Sequence, residues 1–310
     1  MTKGWIVGYL VLAIFVAGCL LVGWILVKRP LEVWAWRTRR SLLRAGLKKV
    51  MVQTPVGPQT VFVGGAGPVL VLLHGVTHQA GTWARVAPSL VDRYTLIIPD
   101  LAGHGESAPR TGPIQTSEIY GGLEAVIERQ AQGRRVTLVG NSLGAWMAML
   151  LAHRHSDWVE RVIVVNGGAL SGWNVRVNLM PKTREETRET MAQLMDASSP
   201  AVPDYVLDDM ARRSGSSPLA RMLAAAADME AWLLTEDQLR TLGMPVKLVW
   251  GVSDGLFPME YAKRMVAALS DAELIPIERC GHIPQQEAPG RFRTALDVAL
   301  AGAMPGRGSQ

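Results

Sequence analysis

The stretch GNSLGAW (140–146) sets Ser142 between Gly140 and Gly144 in the pattern G-x-S-x-G. A serine hydroxyl is a poor nucleophile at its free pKa, so it needs a base, and the base needs an acid to orient it. Both partners stand downstream: WGVSDGLFP (250–258) holds Asp254 and RCGHIPQQEAP (279–289) holds His282. Ser, then Asp, then His is one of the chain orders in which this constellation recurs. The chemistry is acyl transfer, which also needs N–H donors for a developing oxyanion. The expected donors are the backbone N–H groups of Leu143, directly after the serine, and of Val76 in LLHGVTHQAGTW (72–83). No metal or cofactor is implied.

Other titratable residues near these segments read differently. His74 shapes its loop rather than serving as a second base. His78 reads equally as lining a pocket mouth or as a surface loop residue. Asp100 and His104, in PDLAGHGES (99–107), precede Ser142 and read as turn stabilisers. Cys280 lies close to His282 but has no elbow to present it.

These residues must be held by strands. PVLVLLHG (68–75) is a continuous apolar run, as in a sheet buried on both faces, and YTLIIPD (94–100) is a second; RRVTLVG (134–140), RVIVVNG (161–167), MPVKLVWG (244–251) and AELIPIE (272–278) are further strand patterns. KVMVQT (49–54) and QTVFVGG (59–65) flank PVGP (55–58) and predict a hairpin with its turn. Helical patterns lie near 83–92, over 117–130 and after Ser142, so the chain alternates strand and helix and predicts a doubly wound, mainly parallel α/β sheet. Ser142 follows one strand, Asp254 another and His282 a third, which puts all three at the carboxyl edge where such sheets bind ligands. Between Val165 and Val246 no strand pattern occurs. Helices are expected near 184–196, opened by a capping box of Thr183 and Glu186, over 203–213 and over 218–234. Such an insertion forms a cap over the strand ends.

Taken together, HGVTHQAGTW, PDLAGHGES, GNSLGAW, WGVSDGLFP and CGHIPQQEAP resemble the α/β-hydrolase superfamily from about residue 48 onward. With the N-terminal segment described next, the chain is similar to membrane-anchored monoacylglycerol lipases and single-span bacterial lipases and esterases. The resemblance implies an α/β-hydrolase core over 48–168 and 240–310, a helical cap over 169–239, a Ser142–His282–Asp254 triad and oxyanion donors at Val76 and Leu143. Many relatives carry glycine where Ala145 stands. Carbon–carbon bond hydrolases share the fold and triad but tend to show H-G-x-G-P-G at the oxyanion loop, which is lacking here. Haloalkane dehalogenases and epoxide hydrolases use aspartate at the position of Ser142.

WIVGYLVLAIFVAGCLLVGWILV (5–27) has no charged residue. As a helix it is roughly 35 Å long, enough for a hydrocarbon core of about 30 Å. Trp5 and Trp24 sit near its ends, where indole rings favour the membrane interface. Residues 1–29 are therefore expected to be a membrane anchor. A secretory signal is shorter, and a lipoprotein processing box at VAGC (16–19) would lipidate Cys19, yet eight further apolar residues follow that cysteine. Residues 30–47, PLEVWAWRTRRSLLRAGL, mix tryptophan and leucine with arginine and read as a juxtamembrane amphipathic helix on anionic headgroups.

The net charge of +5 is local: residues 28–49 hold eight Lys and Arg against Glu32. By the positive-inside rule that run favours a cytoplasmic catalytic domain. It also removes the argument for a nucleic-acid partner, since the rest of the chain is not basic. Two cysteines, Cys19 and Cys280, form no disulfide or metal framework. With 48% hydrophobic and 19% charged residues, the chain has the composition of a folded protein rather than a disordered one.

The expected function is a membrane-anchored serine hydrolase of carboxylic esters, acting on lipid-derived substrates such as monoacylglycerols or lysophospholipids. Met191, Met195, Met210, Met222 and Met229 would either line an acyl tunnel in the cap or merely pack it. The alternatives are carbon–carbon cleavage of the meta-cleavage-product type, acyl transfer on the same fold, and a membrane-tethered receptor without catalysis.

Overall fold

The structure, a computed structural model, describes residues 3–301. Residues 1–2 and 302–310, at the ends of the expected anchor and core, lie outside the described residues, as does the side chain of Trp5.

Eight strands form one sheet: β1 (Lys48–Thr54), β2 (Gly57–Gly64), β3 (Val69–Leu73), β4 (Thr95–Pro99), β5 (Val136–Asn141), β6 (Val159–Val165), β7 (Val246–Gly251) and β8 (Ala272–Ile277). Their order is β1-β2-β4-β3-β5-β6-β7-β8. β2 is antiparallel to both its neighbours, and from β4 to β8 every pair is parallel. The helices are α1 (Lys3–Lys28), α2 (Pro30–Arg44), α3 (Thr116–Ala131), α4 (Leu143–Arg154), α5 (Arg184–Leu194), α6 (Asp204–Ser214), α7 (Pro218–Leu223), α8 (Glu236–Arg240), α9 (Met259–Ala268), α10 (Pro284–Glu287) and α11 (Pro289–Ala301).

β3, VLVLL, is apolar at every position and buried throughout, because both faces of the sheet are covered. Val69, Val71 and Leu73 of β3 face a core shared with Ile119 and Leu123 of α3 and Met147 and Leu150 of α4. The alternate residues Leu70 and Leu72 face Trp83, Leu90, and Phe292 and Leu296 of α11. This is the period-two pleat of a strand turned to two different cores.

Three expectations are corrected. The hairpin loop is two residues, Pro55 and Val56, not four, because Thr54 already pairs with Gly57. Gly57 takes a φ of 98°, where a side chain would be strained. The helix near 83–92 is instead two short 3₁₀ turns, Ala80–Trp83 and Ala87–Ser89; Pro88 inside the second lacks the N–H that a continuous helix requires. The helix over 218–234 ends at Leu223 and resumes as a 3₁₀ turn, Ala226–Trp232, whose Trp232 carbonyl accepts a bond from Trp146 Nε1 at 2.9 Å. Thr183 caps α5 as expected, its side chain accepting from Glu186 N. The Glu186 carboxylate, however, reaches Lys182 N, one residue ahead of the cap.

α1 contains a segment, Val11–Lys28, long and apolar enough to cross a membrane, and none of it is buried against the protein. A signal sequence near an N-terminus can pass the same test of length and composition. α2 is two-faced. Leu42 is fully buried with Leu47 in the core beneath the sheet, which removes a leucine side chain from water and contributes about 2 kcal/mol. Trp36, Arg37, Arg40, Leu43 and Arg44 lie on the opposite, exposed face, with the Arg40 guanidinium over the Trp36 ring at 4.7 Å. The expected headgroup helix is thus docked along its inner side onto the α/β domain.

Candidate active site

β5 ends at Asn141, and the next residue, Ser142, has φ 54° and ψ −115°. That is a costly backbone region for a residue with a Cβ, and it persists only where the surroundings hold it. Ser142 N donates to Val165 O at 3.1 Å, and Ser142 O accepts from Trp146 N at 3.1 Å, so the bend is pinned to β6 on one side and to α4 on the other. The glycines of the motif are needed for contact. A Cβ on Gly144 would lie 2.3 Å from Leu73 O, and one on Gly140 would lie 2.3 Å from the Gly144 backbone. Gly167, after β6, is a third such position: its Cβ would meet Ser142 Cα at 2.5 Å.

β7 and β8 deliver the other two side chains. Asp254 is buried and accepts from Leu256 N at 2.8 Å and Phe257 N at 3.1 Å on Oδ1. Its Oδ2 faces His282 Nδ1 at 2.8 Å and accepts from Asn166 Nδ2 at 2.8 Å. A carboxylate accepts, so this pairing assigns the proton to Nδ1 and leaves Nε2 as the basic nitrogen of the neutral ring. The His282 backbone is also fixed on both sides. Its N donates to Leu194 O at 2.7 Å, at the end of α5, and its O accepts from Asn141 Nδ2 at 3.0 Å. The residue before Ser142 therefore holds the loop of His282. Gln285 Nε2 closes this link on Asn141 Oδ1 at 3.0 Å.

Leu143 is the first residue of α4, where backbone N–H groups have no partner within the helix. Val76 lies in a tight turn: His78 N donates to Gly75 O at 3.2 Å, and Thr77 has φ 67°. Gly75 brings that turn against the elbow, since a Cβ there would stand 3.2 Å from Ser142 Cβ. The structure thus brings Ser142, Leu143, the Val76 loop, His282 and Asp254 to one end of the parallel sheet.

His74 is fully buried, its Nδ1 lying 2.8 Å from Gly75 O and its Nε2 accepting from Leu101 N at 3.0 Å. Burial and the neighbouring His104 push its pKa well down, so it is neutral and engaged at both nitrogens, as a loop-shaping residue should be. Asp100 accepts from Ala80 N, Glu106 N and Arg39, and belongs to the same scaffold. The His104 ring lies 5.2 Å from that of His74, tilted by 56°, and burial lowers its pKa to about 4. His78 is partly buried. Its Nδ1 lies 3.3 Å from Val76 O, within the turn that carries the expected oxyanion donor, and burial lowers its pKa to about 4. Cys280 is buried and its thiol is pushed up to about 12 by burial and by Glu287, so the thiolate a nucleophile needs is suppressed. Among the described residues no group of three or more His, Cys, Asp or Glu is arranged to hold a metal.

Asn141, Asn166, Gln285 and Glu287 were not foreseen. Glu287 accepts from Gly281 N at 2.7 Å and from Asp196 N at 2.8 Å, tying the His282 loop to the insertion. Their signal was a polar residue at or just after the end of an apolar strand, in LVGN and VVNG, and the QQE that follows His282.

The sheet order, the strained serine turn after β5 and the helical insertion between β6 and β7 define the architecture of the α/β hydrolases. The chain belongs to the Alpha/beta hydrolase family, whose profile matches residues 70–295. It is similar to an uncharacterized protein of Mycobacterium tuberculosis, with 29% identity over 255 residues, 74% of each chain. It is also similar to a 2-hydroxy-6-oxononadienedioate/2-hydroxy-6-oxononatrienedioate hydrolase of Cupriavidus pinatubonensis, with 26% identity over 254 residues, 74% of this chain and 85% of that one. Among solved structures, a bacterial membrane phospholipase A superposes with a TM-score of 0.76 at 22% identity, covering 97% of this chain and 99% of the other. That coverage extends the shared fold to the N-terminal helices.

Proposed function

We propose that the protein is a membrane-anchored serine hydrolase of carboxylic esters, with lipid-derived esters such as monoacylglycerols or lysophospholipids as substrates. The observation that carries this reading is the 2.8 Å pairing of His282 Nδ1 with Asp254 Oδ2, in a loop bonded at 3.0 Å to Asn141, the residue before a serine held at φ 54°. Ser142 attacks the ester carbonyl while His282 Nε2 takes its proton. Asp254 holds the imidazole tautomer and stabilises the imidazolium. The N–H groups of Leu143 and Val76 receive the oxyanion, and the leaving alcohol takes the proton from His282. Water then enters, gives a proton to His282 and adds to the acyl carbonyl; the C–O bond to Ser142 breaks, the acid leaves, and Ser142 Oγ takes the proton back from His282. No metal or cofactor takes part in this scheme.

The lipid part rests on the N-terminus. An apolar helix with no buried residue over Val11–Lys28 leads into α2, whose exposed face joins Trp36 and Leu43 to Arg37, Arg40 and Arg44. That composition suits an anionic leaflet and supports a catalytic domain on the positively flanked side, the cytoplasm. Residues 169–239 act as the cap. Of its methionines, Met222 is buried in the core and Met229 packs against it, which favours packing over tunnel lining for these two. Met191, Met195 and Met210 are partly buried and remain candidates for acyl contact.

Carbon–carbon bond cleavage is the second reading, favoured by the likeness to the Cupriavidus hydrolase. A fluorophosphonate probe on membranes holding wild type and Ser142→Ala, followed by p-nitrophenyl esters from two to sixteen carbons, separates the readings. Loss of a nucleophilic serine should cost on the order of a millionfold in turnover. Labelling lost in the variant with rates rising toward long chains supports the lipid esterase. Labelling without ester turnover favours carbon–carbon cleavage, and activity confined to short esters refutes the lipid part.

A further inference from the structure

α2 reaches the loop that carries Val76 through three residues of its inner face. Trp34 meets the His78 ring edge-on at 6.4 Å. Thr38 accepts from Gln79 Nε2 at 3.2 Å and sits so close to Gly81 that a Cβ there would lie 2.3 Å from its Oγ1. Arg39 donates from Nε to Gln79 Oε1 at 3.0 Å, from the guanidinium terminus to Asp100 Oδ2 at 2.6 Å, and pairs with Glu106. The acceptors it holds are those that anchor the loop. Gln79 Oε1 also takes Gly81 N at 2.7 Å, and Asp100 Oδ1 takes Ala80 N at 2.7 Å. Two successive backbone amides, four and five residues after Val76, are therefore fixed by groups that Arg39 orients.

We infer that Arg39 is a positioning residue for the oxyanion donor Val76, so that the membrane-proximal helix completes the active site as well as tethering it. The inference rests on the ester-hydrolase reading. Arg39 lies upstream of the segment that matches the family profile, residues 70–295, so the hydrolase fold in general does not supply this cation. The Asp100 side chain is fully buried and Arg39 is 11% exposed on its side chain. Burial raises the Asp100 pKa, and Arg39 opposes that rise. Without Arg39 the carboxylate is an unpaired charge in the interior, which the fold relieves by protonation or by opening the loop to water. Either response loosens the residues that follow Val76. An oxyanion donor acts only when aimed at the transition-state oxygen, so the loss falls on turnover and leaves ground-state binding nearly intact.

The test uses full-length protein in detergent micelles with p-nitrophenyl butyrate as a soluble substrate, so that membrane docking does not enter. Arg39→Met should lower kcat about a hundredfold, the cost of roughly an ångström of misplacement, with KM within about threefold. A boronic acid that mimics the tetrahedral state should bind more weakly by the same factor as kcat/KM falls. Arg40→Ala, on the exposed face of α2, should leave both unchanged. Gln79→Ala removes one Arg39 acceptor without stranding a carboxylate. It must show the same kcat loss at constant KM if Arg39→Met does not fold. Active wild type with unimpaired Arg39→Met, or with unimpaired Gln79→Ala when Arg39→Met does not fold, overturns this inference alone. Wild type without ester turnover, or Ser142→Ala that retains it, overturns the ester-hydrolase reading and this inference with it.

Discussion

Asn166 Nδ2 donates to Asp254 Oδ2 at 2.8 Å, the same oxygen that faces His282 Nδ1. Asn166 is itself anchored, because its Oδ1 accepts from Gly251 N at 2.9 Å at the end of β7. The carboxylate is thus aimed by a side chain from the neighbouring strand and by two amides of its own loop. Asn166→Ala removes a hydrogen bond to a charged group, about 1.5–3 kcal/mol. Part of that is recovered by the remaining donors, so kcat should fall about tenfold with little change in KM. Asp254→Asn, which reverses the tautomer preference at His282, should fall about ten-thousandfold. Steady-state kinetics of the two variants on one soluble ester checks the order, and equal losses would refute the supporting role of Asn166.

Gly167 does not need an unusual φ; it needs room. A Cβ there would stand 2.5 Å from Ser142 Cα and 2.8 Å from Ser142 N, and neither backbone atom can swing away as a side chain could. Gly167→Ala should destabilise the protein by about 1–3 kcal/mol through overpacking. It should also slow fluorophosphonate labelling, because the strain is transmitted to the elbow. Gly121→Ala in α3 is the contrast. Nothing lies within 4 Å of its Cβ, and a helical glycine replaced by alanine gains up to about 1 kcal/mol. Thermal midpoints and labelling rates of the two variants decide it. A labelling rate for Gly167→Ala equal to wild type would show that the elbow tolerates the displacement.

The strands of this fold were legible because a strand buried on both faces is apolar at nearly every position, and such runs stand out in PVLVLLHG and RVIVVNG. The three side chains proposed for catalysis were legible for a related reason. Each follows a strand whose end is visible, and parallel pairing brings those ends to one edge. Local geometry that depends on distant partners was not legible. The turns over 80–89 look helical by apolar spacing, yet Asp100 takes the N–H of Ala80 and Gln79 takes that of Gly81, so the segment is held in short 3₁₀ turns. Arg39 reads as one more arginine in a basic run until α2 is docked. A charge run has no inner side in the sequence, and the difference between Arg39 and Arg40 is a rotation of about 100° about the helix axis.

His104 provides a test in pH. It is buried, with Nδ1 2.9 Å from Ala102 O, and its pKa is about 4, lowered by burial and then by Arg221. In the unfolded chain the same ring titrates near its ordinary value of about 6.5. Between those limits the unfolded state binds the extra proton, so stability rises with pH across the window and is lost on acidification from about 6.5 toward 4. One such histidine contributes a slope of up to about 1.4 kcal/mol per pH unit. His78, lowered to about 4, and His74, lowered well below its ordinary value, act in the same direction. Urea unfolding in detergent at pH 7, 6 and 5 should therefore show falling stability. His104→Gln should flatten the dependence by about one proton while leaving the other two contributions in place. An unchanged slope in that variant would mean that His104 is protonated in the folded protein, against the burial that defines its environment.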